Sequence, residues 1–160
     1  MADDTKNATL RGGGKLGTNQ VETARAAIIR DSTVEVAAAA SADSVYTFLR
    51  LPTNARINGL SRVAFDDLAS SGSPTLDFGF AAVSGNFTTD PDALNDGIDV
   101  ATAAGTANLI KDIANYGKMV WELLGLSSDP GGFADLIGSI KDAATNTGGT
   151  VTLTAVYSTQ

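Results

Sequence analysis

The sequence predicts a mainly β protein: an antiparallel β-sandwich of jelly-roll type with a short helical insertion and an extended N-terminal arm. Three observations carry this. Short runs with alternating apolar and polar residues recur from about residue 33 onward, each bounded by Gly, Pro, Asn or Ser, the pattern of half-buried strands joined by turns. The last residues, GGTVTLTAVYSTQ, place Val151, Leu153, Ala155 and Tyr157 on one side of a period-two ribbon and Thr150, Thr152, Thr154 and Ser158 mostly on the other. A strand so near a terminus stays ordered only when it is tied into a sheet. Residues 1–20, by contrast, hold only Leu10 and Leu16 as large apolar side chains after Met1, along with Gly12, Gly13 and Gly14. Such a segment cannot offset its own ordering entropy by burial.

The elements follow in order. The arm, residues 1–20, is either a terminus without a role or a segment that docks on a partner; in the second case Lys6, Leu10, Arg11, Lys15 and Leu16 are its contact residues. Residues 21–160 form one domain. TVEVAAAA sets Val34 and Val36 on one face, and VYTFLRLP sets Tyr46 and Phe48 against Val45, Thr47, Leu49 and Leu51, so both read as strands. Pro52 lacks a ladder donor and closes the second run. ARINGLSRVAF resumes an extended pattern through Ile57, Val63 and Phe65, with a bulge or kink at Gly59. TLDFGFAAV alternates Leu76, Phe78 and Phe80 with Asp77 and Gly79 and is a fourth strand. TTDPDALNDGID reads as an acidic loop that starts a short helical turn at Asp90 with Pro91 in its first position. The helical insertion falls at about 105–126, where Leu109, Ile113, Tyr116, Val120 and Leu123 or Leu124 recur at spacings of three and four; with Gly117 interrupting it, two short helices or a bent one fit as well as one long helix. FADLIGSIKDAATN fits a helix face or a buried strand, and the turn at 146–149 favours strand, turn, strand into the terminus.

Composition removes whole classes of chemistry. The 160 residues include neither Cys nor His, so disulfides, thiolate nucleophiles, Ser-His-Asp triads and the usual zinc centres are excluded as ordinarily built. No cofactor is expected. Charge is uneven: residues 1–30 carry five basic and three acidic side chains, net +2, while the rest carries six basic and fifteen acidic, net −9. An acidic body argues against nucleic acid as a partner, because affinity for it comes largely from neutralising phosphates. No apolar run approaches the ~20 residues of a membrane span, and the first residues lack the apolar region of a signal peptide. The expectation is a protein made and kept in the cytoplasm, without a membrane partner.

Three constellations suggest chemistry and do not sustain it. GGGKLG lacks the G-x-x-x-x-G-K-[ST] order of a phosphate loop, since Leu16 follows Lys15. Asp90, Asp92, Asp96 and Asp99 cluster like cation ligands, yet their spacing misses the EF-hand and no bidentate Glu follows; a solvated loop is the plainer reading. Asp66 and Asp67 are adjacent and would point to opposite faces of a strand, so they make a turn and not a catalytic pair. Trp121, the single tryptophan, reads as core among Met119, Val120, Leu123 and Leu124, or else as an exposed anchor at a subunit contact. No catalytic residue emerges.

The order of pieces is itself informative: LRLPTNARI from Leu49, VAFDDL from Val63, TLDFG from Thr75, NDGID from Asn95, WELLGL from Trp121, DPGG from Asp129 and GTVTLTAVY from Gly149. Over about residues 33–160 this set resembles small β-rich structural proteins of tailed bacteriophage virions, especially head decoration or cement proteins. The resemblance implies a non-enzymatic subunit, a homotrimer or other homo-oligomer, that binds the outside of the major capsid protein shell and strengthens it after assembly in the host cytoplasm. It carries no binding residues over, because the shared positions are strand and turn chemistry. The alternatives are a tail, neck or baseplate subunit, then a carbohydrate-binding module, then a carboxylate-based glycosidase.

Overall fold

The fold is described by a computed structural model for residues 27–84 and 87–159. The N-terminal arm, with Lys6, Leu10, Arg11, Lys15 and Leu16, lies outside the described residues. Nine strands build two antiparallel sheets: β1 (Ile28–Val36), β2 (Val45–Pro52), β3 (Arg56–Ile57), β4 (Arg62–Phe65), β5 (Thr75–Ser84), β6 (Asp90–Asp99), β7 (Gly105–Asn108), β8 (Phe133–Lys141) and β9 (Gly149–Ser158). The first sheet runs β1-β9-β4-β7, with β3 also paired to β9, and the second runs β2-β8-β5-β6. The chain is a β-sandwich.

The terminal strand is the middle of the first sheet. β9 pairs along its length with β1, from Ile28↔Tyr157 to Val36↔Gly149, and on its other edge with β3 and β4. Val151, Leu153, Ala155 and Tyr157 are buried, as their alternation predicts. They meet Phe48, Leu76, Phe78, Leu136 and Ile140 of the second sheet in one core, where the Phe48 and Phe78 rings lie 5.4 Å apart and tilted. This inter-sheet layer buries mostly large aliphatic and aromatic groups, each worth roughly 1.5–3 kcal/mol relative to exposure.

Residues 133–141 are a strand, β8, paired between β2 and β5. VYTFLRLP is also a strand, but its faces differ from simple alternation. A bulge between Thr47 and Leu49 resets the register, so both Phe48 and Leu51 turn into the core. ARINGLSRVAF is two strands, β3 and β4, separated by a turn closed by Ser61 N donating to Asn58 O.

Two expectations are corrected. TTDPDALNDGID is not a loop with a helical turn; its residues from Asp90 to Asp99 form β6, an edge strand of the second sheet. Between the pairs Phe78↔Asn95 and Phe80↔Asp90 the register slips, so β6 spends more residues than β5 over the same stretch, which scrambles the period-two pattern. An edge strand with bulges also tolerates Pro91. At Gly79 of β5 the two backbones come close, and a Cβ there would lie 2.1 Å from the Asp90 carbonyl oxygen.

The second correction concerns 105–126. Its first residues are β7, and its helical content is one 3-10 turn at Ile113–Asn115 and one α-turn, α1 (Val120–Leu123). The stripe from Leu109 to Leu124 is therefore not one helical face: Leu109, Ile110 and Val120 are buried, while Ile113 is 79% exposed. Gly117 takes a positive φ of 71°, which ends any helix passing through it. The backbone finds partners elsewhere instead: Lys111 N donates to Leu94 O of β6, and Leu109 N, Val120 N and Trp121 N donate to Ser61 O, Ala55 O and Thr53 O in the turns that flank β3. Trp121 is half-buried, its indole N–H directed at Met119 Sδ, 3.1 Å away.

Candidate interaction surface

Burial of one face of β9 turns its other face outward, and the register extends that face across the sheet. Asp31, Thr154, Arg62 and Asn108 form one row, and Thr33, Thr152, Ala64 and Thr106 the next. The rows are cross-linked: Thr154 Oγ1 donates to Asp31 Oδ1 at 2.7 Å, Thr33 Oγ1 and Thr152 Oγ1 are bonded at 2.8 Å, and Arg62 donates to Asn108 Oδ1. Most of the polar side chains of this face are thus hydrogen-bonded to one another across the strands.

At one end the same face becomes apolar. There Ile29, 60% exposed, pairs with Val156, and Leu60, 68% exposed, projects from the β3–β4 turn. Beside them is a cavity of about 520 Å³ lined by Ala27, Arg56–Leu60, Tyr116, Gly117 and Val156–Ser158. Tyr116 closes over Gly59, where a Cβ would stand 2.4 Å from Tyr116 Cε2; Gly59 is thus a seat for the ring. Arg56, the one charged residue among the described lining residues, donates from its guanidinium to Gly117 O.

The outer side of the second sheet is acidic. Asp77 is buried and accepts a 2.8 Å hydrogen bond from Gly97 N, yet desolvation pushes its carboxyl above the usual range, and nearby Asp96 and Asp92 push the same way. Burial also raises Asp90, helped by its hydrogen bond with Asp92. Lys141 is held charged by Asp43. Asp99, the last of the four aspartates that suggest a cation site, caps the following turn through Ala101 N and the Thr102 hydroxyl, which lowers its pKa. Among the described residues no group of three or more His, Cys, Asp or Glu side chains is placed to hold a metal ion.

Asp66 and Asp67 are divided as their adjacency predicts. Asp66 accepts from Thr150 N and the Thr150 hydroxyl, which lowers its pKa, and Asp67 accepts from Ala69 N. Both tie loops and face no shared cavity. The sequence reading missed the groove altogether, because Arg56, Tyr116 and Val156 come from three separated segments; its one signal was Gly59.

No protein-family model matches this sequence, and no curated protein is similar to it. Solved structures do share its fold. A chain of the Cyanophage Pam1 capsid asymmetric unit superposes with a TM-score of 0.61 at 17% identity, covering 97% of this chain and 100% of that one. A chain of the capsid of Ralstonia phage GP4 superposes with a TM-score of 0.58 at 18% identity, covering 83% and 85%. At these identities the likeness is one of fold.

Proposed function

We propose that this protein is a non-catalytic component of a bacteriophage capsid, a decoration or cement protein that binds the outer surface of the shell and stabilises it. The observation that carries the reading is the near end-to-end likeness, over 97% of this chain, to a chain of a phage capsid asymmetric unit. Two features of the molecule support it. The threonine-rich, internally hydrogen-bonded face of the first sheet suits broad contact with a protein surface, and the apolar end of that face supplies the anchor on which interface affinity concentrates. The acidic second sheet then faces solvent, where like charge keeps neighbouring particles apart.

In this reading the N-terminal arm, residues 1–20, reaches the shell through Lys6, Leu10, Arg11, Lys15 and Leu16, and the body acts as a homo-oligomer, a trimer being the form expected. Each arm gains contact area at an entropic cost, and repetition over a symmetric shell adds avidity. A carbohydrate-binding role is disfavoured, because Phe133 is the one exposed aromatic among the described residues.

The test is co-sedimentation with capsids stripped of or lacking their outer proteins. The full-length protein should pellet with the shells, and a variant without residues 1–20 should pellet at least tenfold more weakly while keeping its β circular dichroism. Absence of any full-length binding to capsids, with binding to purified tails or baseplates, would replace the capsid reading; equal binding by the truncated form would remove the arm from it.

A further inference from the structure

We propose that Asp77 and Ser139 form an acid-closed latch on the second sheet, in which the protonated Asp77 carboxyl donates to Ser139 Oγ and ties the edge strand β6 more firmly to β5 and β8. Geometry sets the pair up. Asp77 of β5 and Ser139 of β8 are directly opposed in the antiparallel register. Side chains so placed leave the same face with Cβ atoms about 4.5–5.5 Å apart, close enough for their polar ends to meet. Both residues are buried, at 6% and 1% exposure, and Ser139 Oγ has no hydrogen-bond partner among the described residues. A buried hydroxyl of that kind costs stability until it is bonded. In the other direction Asp77 reaches β6, where its Oδ1 accepts from Gly97 N at 2.8 Å. Gly97, at a φ of 83°, lies where the register passes from Leu76↔Ile98 to Phe78↔Asn95, so that two β6 residues stand against Asp77 alone. The carboxyl therefore holds the bulge of an edge strand.

Chemistry decides which protonation state closes the contact. An ionised carboxylate only accepts, whereas the protonated group keeps an acceptor oxygen for Gly97 N and gains an O–H donor for Ser139 Oγ. Desolvation first, then repulsion from Asp96 and Asp92 of β6, raises the Asp77 pKa; the Gly97 hydrogen bond and Lys141 of β8 oppose the rise, and Lys141 is shared with Asp43 of the turn before β2. At neutral pH the buried carboxylate thus repels the strand that carries Asp92 and Asp96. As pH falls from the folded pKa towards the ordinary carboxylate value, the proton removes that repulsion and supplies the donor that Ser139 lacks, so β6 is held more tightly. Were Ser139 a donor to the ionised form, the pH dependence would have the opposite sign. The inference stands apart from the capsid reading, since the isolated protein reports it.

Urea unfolding of the full chain at pH 7 and at about pH 4 tests the latch through Ser139→Ala. The variant should lower the folding equilibrium constant roughly two- to tenfold more at the acid pH than at the neutral one, the worth of one net hydrogen bond. Asp77→Asn supplies the control, because its carboxamide offers both an acceptor for Gly97 N and a donor for Ser139 at every pH; in that background Ser139→Ala should cost the same at both. A second measurement needs no variant: amide protection in β6 from Leu94 to Ile98, taken relative to the β9 amides, should rise between pH 7 and about pH 4. A loss from Ser139→Ala that is equal at the two pH values, or larger at pH 7, would overturn the proposal. So would β6 protection that stays flat or falls on acidification.

Discussion

Replacing Leu153 by Ala tests the face assignment of the terminal strand most directly. Leu153 is fully buried on β9, opposite Ser32 of β1 and Val63 of β4. The change removes three carbons, a transfer loss of ~2.4 kcal/mol at about 0.8 kcal/mol per methylene. A residual cavity of ~50 Å³ would add ~1.2 kcal/mol at about 24 cal/mol per Å³. The expected destabilisation is therefore about 3.6 kcal/mol, read as a lower urea midpoint and as a fall in Tm of roughly 7–14 °C at 2–4 °C per kcal/mol. Thr152→Ala, one residue away, loses only a half-exposed bond to Thr33 and should stay within about 0.5 kcal/mol. Comparable losses from the two variants, or less than ~1 kcal/mol from Leu153→Ala, would refute the inward and outward assignment on which both sheet and surface rest.

Two further outcomes follow from the second sheet. Gly79→Ala should destabilise by more than the ~1–3 kcal/mol typical of overpacking, because its Cβ would meet Asp90 backbone atoms and not a movable side chain; unchanged thermal stability would mean that β6 does not lie against β5 there. Asp77 has a raised pKa in the folded state, caused first by desolvation, so the wild type gains stability as pH falls from its folded pKa towards the ordinary carboxylate value, and lacks that gain at neutral pH. Asp77→Asn keeps an acceptor for Gly97 N without the buried charge, and it should equal or exceed the wild type in urea at pH 7, with the difference shrinking towards pH 4; a difference that widens on acidification would contradict the assignment.

Much of the sandwich was legible because strand alternation is a local property. Val151 to Tyr157 and Leu76 to Phe80 announce their buried faces through side-chain period alone, since successive residues of a strand must point opposite ways. Where the backbone departs from regular pairing, that logic fails. The register slips in β6 hide a ten-residue strand behind a loop-like composition, and the bulge before Leu49 brings Phe48 and Leu51 to one side. Between Leu109 and Leu124 the apolar spacing imitates a helix, but the buried Leu109 and Val120 are held by hydrogen bonds to the distant turns at Ser61 and Ala55.

The candidate surface divides in the same way. Absence of His and Cys, the acidic body and the apolar-poor first residues are properties of composition, and the outward rows of threonine follow from alternation along a strand. The groove is different: Ala27, Arg56, Tyr116 and Val156 lie far apart in the chain and meet only because β9 inserts between β1 and β3. Alternation states which way a side chain points relative to its own strand. Which strands become neighbours depends on long-range pairing and shared burial, so only the tertiary structure decided where the apolar end of the sheet, and the groove beside it, would be.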